Sequence, residues 1–230
     1  MAERKVVAIT GAAGGLGPAV VRAFREAGAA VALAGRSRDR LVELLDSLRV
    51  PVDERLASGV DLGDPQAADA WAAQVKKKFG EVSAVIHLVG GYTAGTAIGD
   101  LKPEDWDSIQ RMLVRTTLCV LRAFAAPVRE ARGRFLAVTS PKTQAPTAKS
   151  ALYGAAKAAS DALVLAFADE LRGSGATANL IVVDSIGAPQ PGKYGKATPP
   201  EEIAAAMLFL CSDASATING ARIPLTGRDV

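Results

Sequence analysis

An α/β fold, a single doubly wound parallel sheet with helices on both faces, is what this 230-residue sequence predicts. Three observations carry the prediction. Short apolar runs alternate with longer amphipathic stretches along the whole chain. The first run, residues 4–10, passes directly into a glycine-rich turn, Gly11 to Gly17, that opens a helix. The composition is 49% apolar with 22 glycines and only 5% aromatic, which suits helices lying close on a sheet. The length fits one domain over residues 1–230, large enough to bury a core.

Taken in order, the strand at 4–10 (R-K-V-V-A-I-T) is followed by a helix that carries Ala19, Val20, Ala23 and Phe24 and closes at Gly28. Residues 30–34 form a second strand and 38–49 a helix. A third strand lies near 55–60, and Asp64-Pro65 opens a helix, with an N-cap followed by proline, that runs to Phe79-Gly80. The fourth strand, 84–89, delivers Gly90-Gly91-Tyr92 into a loop. A fourth helix runs from about 103 to 129, bent or shortened near Pro127, and a fifth strand covers 134–139. The fifth helix is 150–172, the sixth strand 178–183, the sixth helix 200–211 and the last strand 221–225. A Gly- and Pro-rich loop of residues 184–198 is the expected substrate loop, too short for a deep lid.

The formal charge of +3 is small, and basic and acidic residues are interspersed. The run Lys76-Lys77-Lys78 reads as a solvated helix end, not a nucleic-acid footprint, so no nucleic-acid partner is expected. Cys119 and Cys211 fall in apolar helical patterns and read as reduced core residues, with no metal-type spacing around them. The N-terminus enters a strand at once, and no apolar run reads as long enough to span a membrane, so a cytoplasmic protein without a membrane partner is expected.

The turn after the first strand has the pattern TGxxxGxG from Thr10 to Gly17. Gly11, Gly14, Gly15 and Gly17, with Leu16, would let backbone N–H groups approach a pyrophosphate at the helix N-terminus. At the tip of the second strand, Gly35-Arg36-Ser37-Arg38, a dinucleotide fold usually places an acid for the ribose hydroxyls. No acid stands there, and Arg36 and Arg38 are able to pair with a 2′-phosphate, which favours NADP(H) while leaving NAD(H) possible; Arg38 also reads as a helix cap. Asp61 and Leu62 end the third strand, where Asp61 would accept from an adenine amino group. Val89, Gly90 and Gly91 mark a close backbone approach to the cofactor at a strand end.

Tyr153 and Lys157 lie at i and i+4, on one helical face, and Ser140 ends the fifth strand nearby. An ammonium one turn from a phenol would lower its pKa and suit it to proton transfer near neutral pH. His87, the only histidine, sits in an apolar run and reads as a packed core residue. Tyr92 reads equally well as a pocket lining or as ordinary packing, and Trp71 and Trp106 as core or interface.

With these positions set, the chain resembles the short-chain dehydrogenase/reductase family over essentially its whole length. TGxxxGxG at Thr10–Gly17, Ser140, YxxxK at Tyr153–Lys157 and the ending Asn219-Gly220-Ala221-Arg222-Ile223-Pro224-Leu225-Thr226-Gly227 carry the resemblance. It implies a Rossmann domain in which Tyr153 moves the proton while hydride passes to or from nicotinamide. Lys157 would tune Tyr153 and bind the nicotinamide ribose, and Ser140 would polarise the carbonyl. Ile186 would contact the nicotinamide end. The resemblance also implies a homodimer or homotetramer through the helices carrying Leu113, Leu118, Leu121 and Leu152, Leu163, Phe167.

The departures are equally specific. The family usually has an asparagine in the fourth helix, and ungapped spacing puts Leu113 there. Its N-N-A-G after the fourth strand is His87-Leu88-Val89-Gly90 here, and the Pro-Gly after the sixth strand is replaced by Val183-Asp184. The run Val89 to Gly95 is similar to the Gly-Gly-aromatic loop of dihydropteridine reductases, which also lack the asparagine. The expected function is therefore NADP(H)-dependent reduction of a small carbonyl, or oxidation of the alcohol. The alternatives are an NADP(H)-sensing or scaffold protein and a dihydropteridine-reductase-like enzyme. A sugar-nucleotide epimerase shares YxxxK but would need residues for a separate substrate domain.

Overall fold

A computed structural model describes residues 4–188 and 197–225. Its centre is a seven-stranded sheet in which neighbouring strands run parallel, in the order β3-β2-β1-β4-β5-β6-β9. The strands are β1 (Val6–Thr10), β2 (Ala30–Gly35), β3 (Arg55–Gly59), β4 (Ala84–His87), β5 (Arg134–Thr139), β6 (Thr177–Val183) and, last in the chain, β9 (Arg222–Leu225). Between them run α1 (Gly17–Glu26), α2 (Arg38–Ser47), α3 (Pro65–Phe79), α4 (Pro103–Gln110), α5 (Thr116–Glu130), α6 (Ala151–Glu170) and α7 (Pro200–Leu210). A two-residue pair, β7 (Ser185–Ile186) with β8 (Ala197–Thr198), clasps the base of the loop after β6, whose residues 189–196 lie outside the described chain.

Alternation along the buried strands divides the core in two. On one face Ala8, Ala32, Val85, Phe135 and Ala178 meet α3, α5 and α6 through Trp71, Phe124 and Phe167. On the other, Ile9, Leu33, Ile86, Leu136 and Ile181 meet α1, α2 and α7 through Phe24, Leu41 and Met207. Helices on both faces and a strand order that reverses at β1 give the doubly wound arrangement, with its ligand crevice between the C-terminal ends of β1 and β4.

Several boundaries differ from the sequence reading. The fourth predicted helix is three pieces, because a π-helical segment, Arg111–Arg115, separates α4 from α5. The hydroxyls of Thr116 and Thr117 donate to the Met112 and Leu113 carbonyls one turn back, the kind of competition that distorts a helix. Pro127 does not end α5, which continues to Glu130; it falls in the last turn. β4 stops at His87, so Leu88 and Val89 belong to the loop. One helix, α6, is long and apolar enough to span a membrane by length and composition alone, contrary to expectation. Here it packs on the core through Val164 and Phe167 and carries Tyr153 and Lys157.

Other readings agree. Trp71 is buried edge-on to Phe124, 5.0 Å between ring centres, whereas Trp106 is 36% exposed on α4. The three lysines close α3, with Lys76 paired to Glu130 at 2.9 Å. Both cysteines are free, and burial pushes the Cys211 thiol up to about 12. Asn219 holds the approach to β9, accepting from the Ala178 N–H and donating to the Ala168 carbonyl, while Thr226 and Gly227 lie outside the described residues.

Asp161 is the strongest charged tie to that edge strand: it is 1% exposed on α6 and pairs with Arg222 of β9. Asp161→Ala leaves Arg222, a quarter exposed, without its carboxylate and is expected to cost about 1–3 kcal/mol, with Asp161→Asn milder, as read by urea unfolding.

Candidate active site

The turn after β1 is built by glycines for steric reasons. Gly11 has φ +70°, and a side chain there would lie 2.8 Å from the Leu88–Val89 peptide. At Gly17 an added Cβ would fall 1.8 Å from the Ala12 carbonyl oxygen, so only glycine lets α1 start. Gly14 donates to Gly11 and Gly17 to Gly14, closing two tight turns, while Gly15 faces open space. No side chain caps the N-terminus of α1 after Leu16. This cradle fits a dinucleotide pyrophosphate: glycine-lined, with helix N–H groups and the positive end of the dipole directed at it.

Around it stand the other predicted contacts. Arg36 is exposed at the end of β2, and Ser37 caps α2 by accepting from the Arg40 N–H at 3.4 Å. Arg38 is the first residue of α2, its Cβ against Gly59. Arg40, which the sequence reading passed over, donates to the Ala13 carbonyl at 3.3 Å and ties α2 to the turn; its position just beyond the Arg36–Arg38 pair was the available signal. Asp61 accepts from the Gly63 N–H and pairs with Arg111, both at 2.9 Å, and those two contacts hold its carboxyl below the ordinary range. Leu62 is buried beside it.

Ser140, Tyr153 and Lys157 come together at the end of β5. Gly154 allows this, because a side chain there would sit 3.2 Å from the Lys142 carbonyl; the glycine seats α6 on the turn Pro141–Thr143 that follows Ser140. Ser140 is 2% exposed and its hydroxyl accepts from the Lys142 N–H at 3.3 Å. Tyr153 is half-buried, with the Tyr92 ring nearly perpendicular at 5.0 Å. Tyr92 is 64% exposed and has the Lys142 ammonium 5.6 Å from its ring centre; Lys142 also pairs with Asp184 at 3.5 Å. Lys157 is buried and donates to the Val138 carbonyl at 2.9 Å. Gly90 lies beside its ammonium, with Nζ 3.8 Å from where a Cβ would be.

A family model described as enoyl-(acyl carrier protein) reductase matches residues 11–227. Meso-2,3-butanediol dehydrogenase of Serratia marcescens is 30% identical over 240 residues, covering 98% of this chain and 94% of that one. This chain belongs to the short-chain dehydrogenase/reductase family. Two solved relatives share the fold. An NADPH-bound short-chain oxidoreductase from Pseudomonas aeruginosa PAO1, described as containing an atypical catalytic centre, has a TM-score of 0.87 and 25% identity over 97% of this chain and 95% of its own. A 3-ketoacyl-(acyl-carrier-protein) reductase from Brucella melitensis, complexed with NADH, has a TM-score of 0.84 and 23% identity over 97% of each chain. The protein is accordingly a short-chain NAD(P)-dependent oxidoreductase.

Within that family, one expectation of the sequence is corrected by electrostatics. Burial, the largest influence, raises the Tyr153 pKa; the facing Ser140 hydroxyl opposes it and the tyrosine and carboxylate neighbours add to it. Lys157 does not bring the phenol below its ordinary range in this state. Its ammonium is engaged with Val138, and burial brings its own pKa down to about 8, with Asp161 opposing. Leu113, where ungapped spacing would put the family's asparagine, is 1% exposed inside the π-helical segment. Ile186 is 45% exposed on β7. His87 is a satisfied core residue, as expected, between the hydroxyls of Thr10 and Thr117.

The Lys157 shift has a stability consequence. Between about 8 and 10.5 the unfolded chain binds the proton that the folded chain has released, so this group makes stability rise with pH. Below about pH 8 it is a constant penalty. Chemical denaturation is therefore expected to show the stability of the wild type rising relative to Lys157→Met across that window, and the difference flat below it.

Proposed function

We propose that this oxidoreductase transfers hydride between NADP(H) and a small carbonyl or alcohol, with Tyr153 as the acid/base. The observation that carries the reading is the convergence of Ser140, Tyr153 and Lys157 beside the glycine turn, at the sheet end where a dinucleotide fold binds its ligand. Gly11, Gly14, Gly15, Leu16 and Gly17 would hold the pyrophosphate. Asp61 and Leu62 would meet the adenine, and Val89, Gly90, Gly91 and Ile186 the nicotinamide half. The bound nucleotide supplies the hydride acceptor or donor. Ser140 orients and polarises the substrate oxygen, and Tyr153 gives it a proton in reduction or takes one in oxidation. A phenol held protonated by burial is in the form that donates in reduction. Lys157, pinned by Val138, binds the ribose and brings positive charge to the phenol's side of the site. Tyr92 forms one wall of the substrate space, with Lys142 and Asp184 at its rim.

NADP(H) is preferred because Arg36, exposed where an acid would otherwise stand, faces no competing carboxylate among the described ion pairs. One solved relative holds NADPH and another NADH, so the preference rests on Arg36. A homodimer or homotetramer would use α5 and α6, where Leu118 is 49% exposed.

Titration with NADPH and with NADH tests the cofactor assignment. Arg36→Ala is expected to weaken NADPH about tenfold and to leave NADH nearly unchanged; equal losses would remove Arg36 from the 2′-phosphate. Tyr153→Phe is expected to lower carbonyl reduction by about a thousandfold while nucleotide affinity holds. A variant that still turned over would require another acid.

A further inference from the structure

The chain's single histidine lies 4% exposed at the end of β4, between two hydroxyls. Thr10 Oγ1 is 2.8 Å from its Nδ1, and Thr117 Oγ1 is 3.1 Å from its Nε2. Proton counting gives each bond its direction. Thr117 has one hydroxyl proton, and it goes to the Leu113 carbonyl at 2.6 Å. Toward the ring, Thr117 Oγ1 is then an acceptor, so Nε2 carries the proton. Nδ1 is left as an acceptor for the Thr10 hydroxyl. Donation therefore runs one way, from Thr10 to His87 to Thr117 to the Leu113 carbonyl. Burial, with the Lys157 ammonium acting in the same sense, holds the ring neutral, its pKa down at about 3.

The ends of this thread lie in functional places. Thr10 is the last residue before the nucleotide turn and pairs in register with His87. Leu113 belongs to the π-helical segment, and it packs with Ile109 and Ala156 in a small cluster that Met112 and Tyr153 border. Met112 also reaches Gly91, where a Cβ would be 3.1 Å from its terminal methyl. One segment thus backs the proposed acid and lines the loop after β4.

We propose that His87 is a positioning residue: as the neutral Nε2–H tautomer it locks the π-helical segment, and with it the wall behind Tyr153, to the strand that enters the nucleotide turn. It does so where the helix asparagine of the family is absent. The catalytic consequence rests on Tyr153 being the acid/base; the tautomer and the thread do not.

Thr117 provides the test, because its shape and its hydroxyl can be separated. Thr117→Val keeps the shape and breaks the thread, and Thr117→Ser keeps the hydroxyl and loses a methyl. The expected result is kcat for carbonyl reduction about tenfold lower in Thr117→Val, NADPH affinity within about twofold of wild type, and kcat restored in Thr117→Ser. A packing role alone would reverse the order, with serine the worse variant, and would overturn the proposal. Nitrogen-15 NMR of histidine-labelled protein reads the thread without turnover. One ring is present, and its resonances are expected to show the Nε2–H tautomer, not to titrate between about pH 5.5 and 9, and to shift at Nε2 in Thr117→Val. An Nδ1–H tautomer, or titration near neutrality, would overturn the thread. Absent reductase activity alongside the expected spectrum would count against the proposed function instead.

Discussion

The end of β1 lies so close to the loop after β4 that Gly11 has no room for a single methyl group against the Leu88–Val89 peptide. That contact is the switch point of the sheet, where the chain that wound from β1 through β2 to β3 departs in the other direction through β4. A crevice forms there because consecutive connections leave on opposite faces. Everything the protein does at its C-terminal sheet edge is referred to this approach. It sets the turn that would hold a pyrophosphate and places Gly90 against Lys157. It also lets Thr10 and His87 stand side by side in adjacent strands.

Burial governs the electrostatics of the same edge. Lys157 and His87 are both taken out of water, and both lose affinity for a proton as a result. The lysine retains its place by donating to Val138, and the histidine by accepting from Thr10 and donating to Thr117. Tyr153 meets the opposite consequence of the same cause, since burial penalises its phenolate. The site is thus arranged around a neutral phenol and a weakened ammonium. The i,i+4 spacing of Tyr153 and Lys157 brings them onto one face, but burial outweighs what the ammonium gives the phenolate.

The fold was legible because its signals are local. Alternation of apolar runs with helical stretches, Asp64-Pro65 at a helix start, and glycines between Thr10 and Gly17 each follow from backbone sterics and burial within a short window. The positions of Ser140, Tyr153 and Lys157 were legible for a similar reason, since strand end and helix face fix them to within a turn. Gly154 was harder to read: its small size serves the Lys142 carbonyl, a neighbour twelve residues earlier that only the packed structure supplies. Arg40 was passed over because its partner, the Ala13 carbonyl, lies in another element.

Sequence alone determined the alternating α/β order, the glycine turn and the identity of the Ser140, Tyr153 and Lys157 side chains, because steric and hydrophobic periodicity act along the chain. Tertiary structure decided which proton each group keeps. Desolvation and hydrogen-bond partners depend on atoms distant in sequence: Val138 for Lys157, Leu113 for Thr117, and Thr10 and Thr117 for His87. It decided, too, that the helix expected to be continuous opens into a π-helical segment where two threonine hydroxyls compete for its carbonyls. Those choices belong to three dimensions, since neither burial nor a hydroxyl's direction is defined until the chain has closed around it.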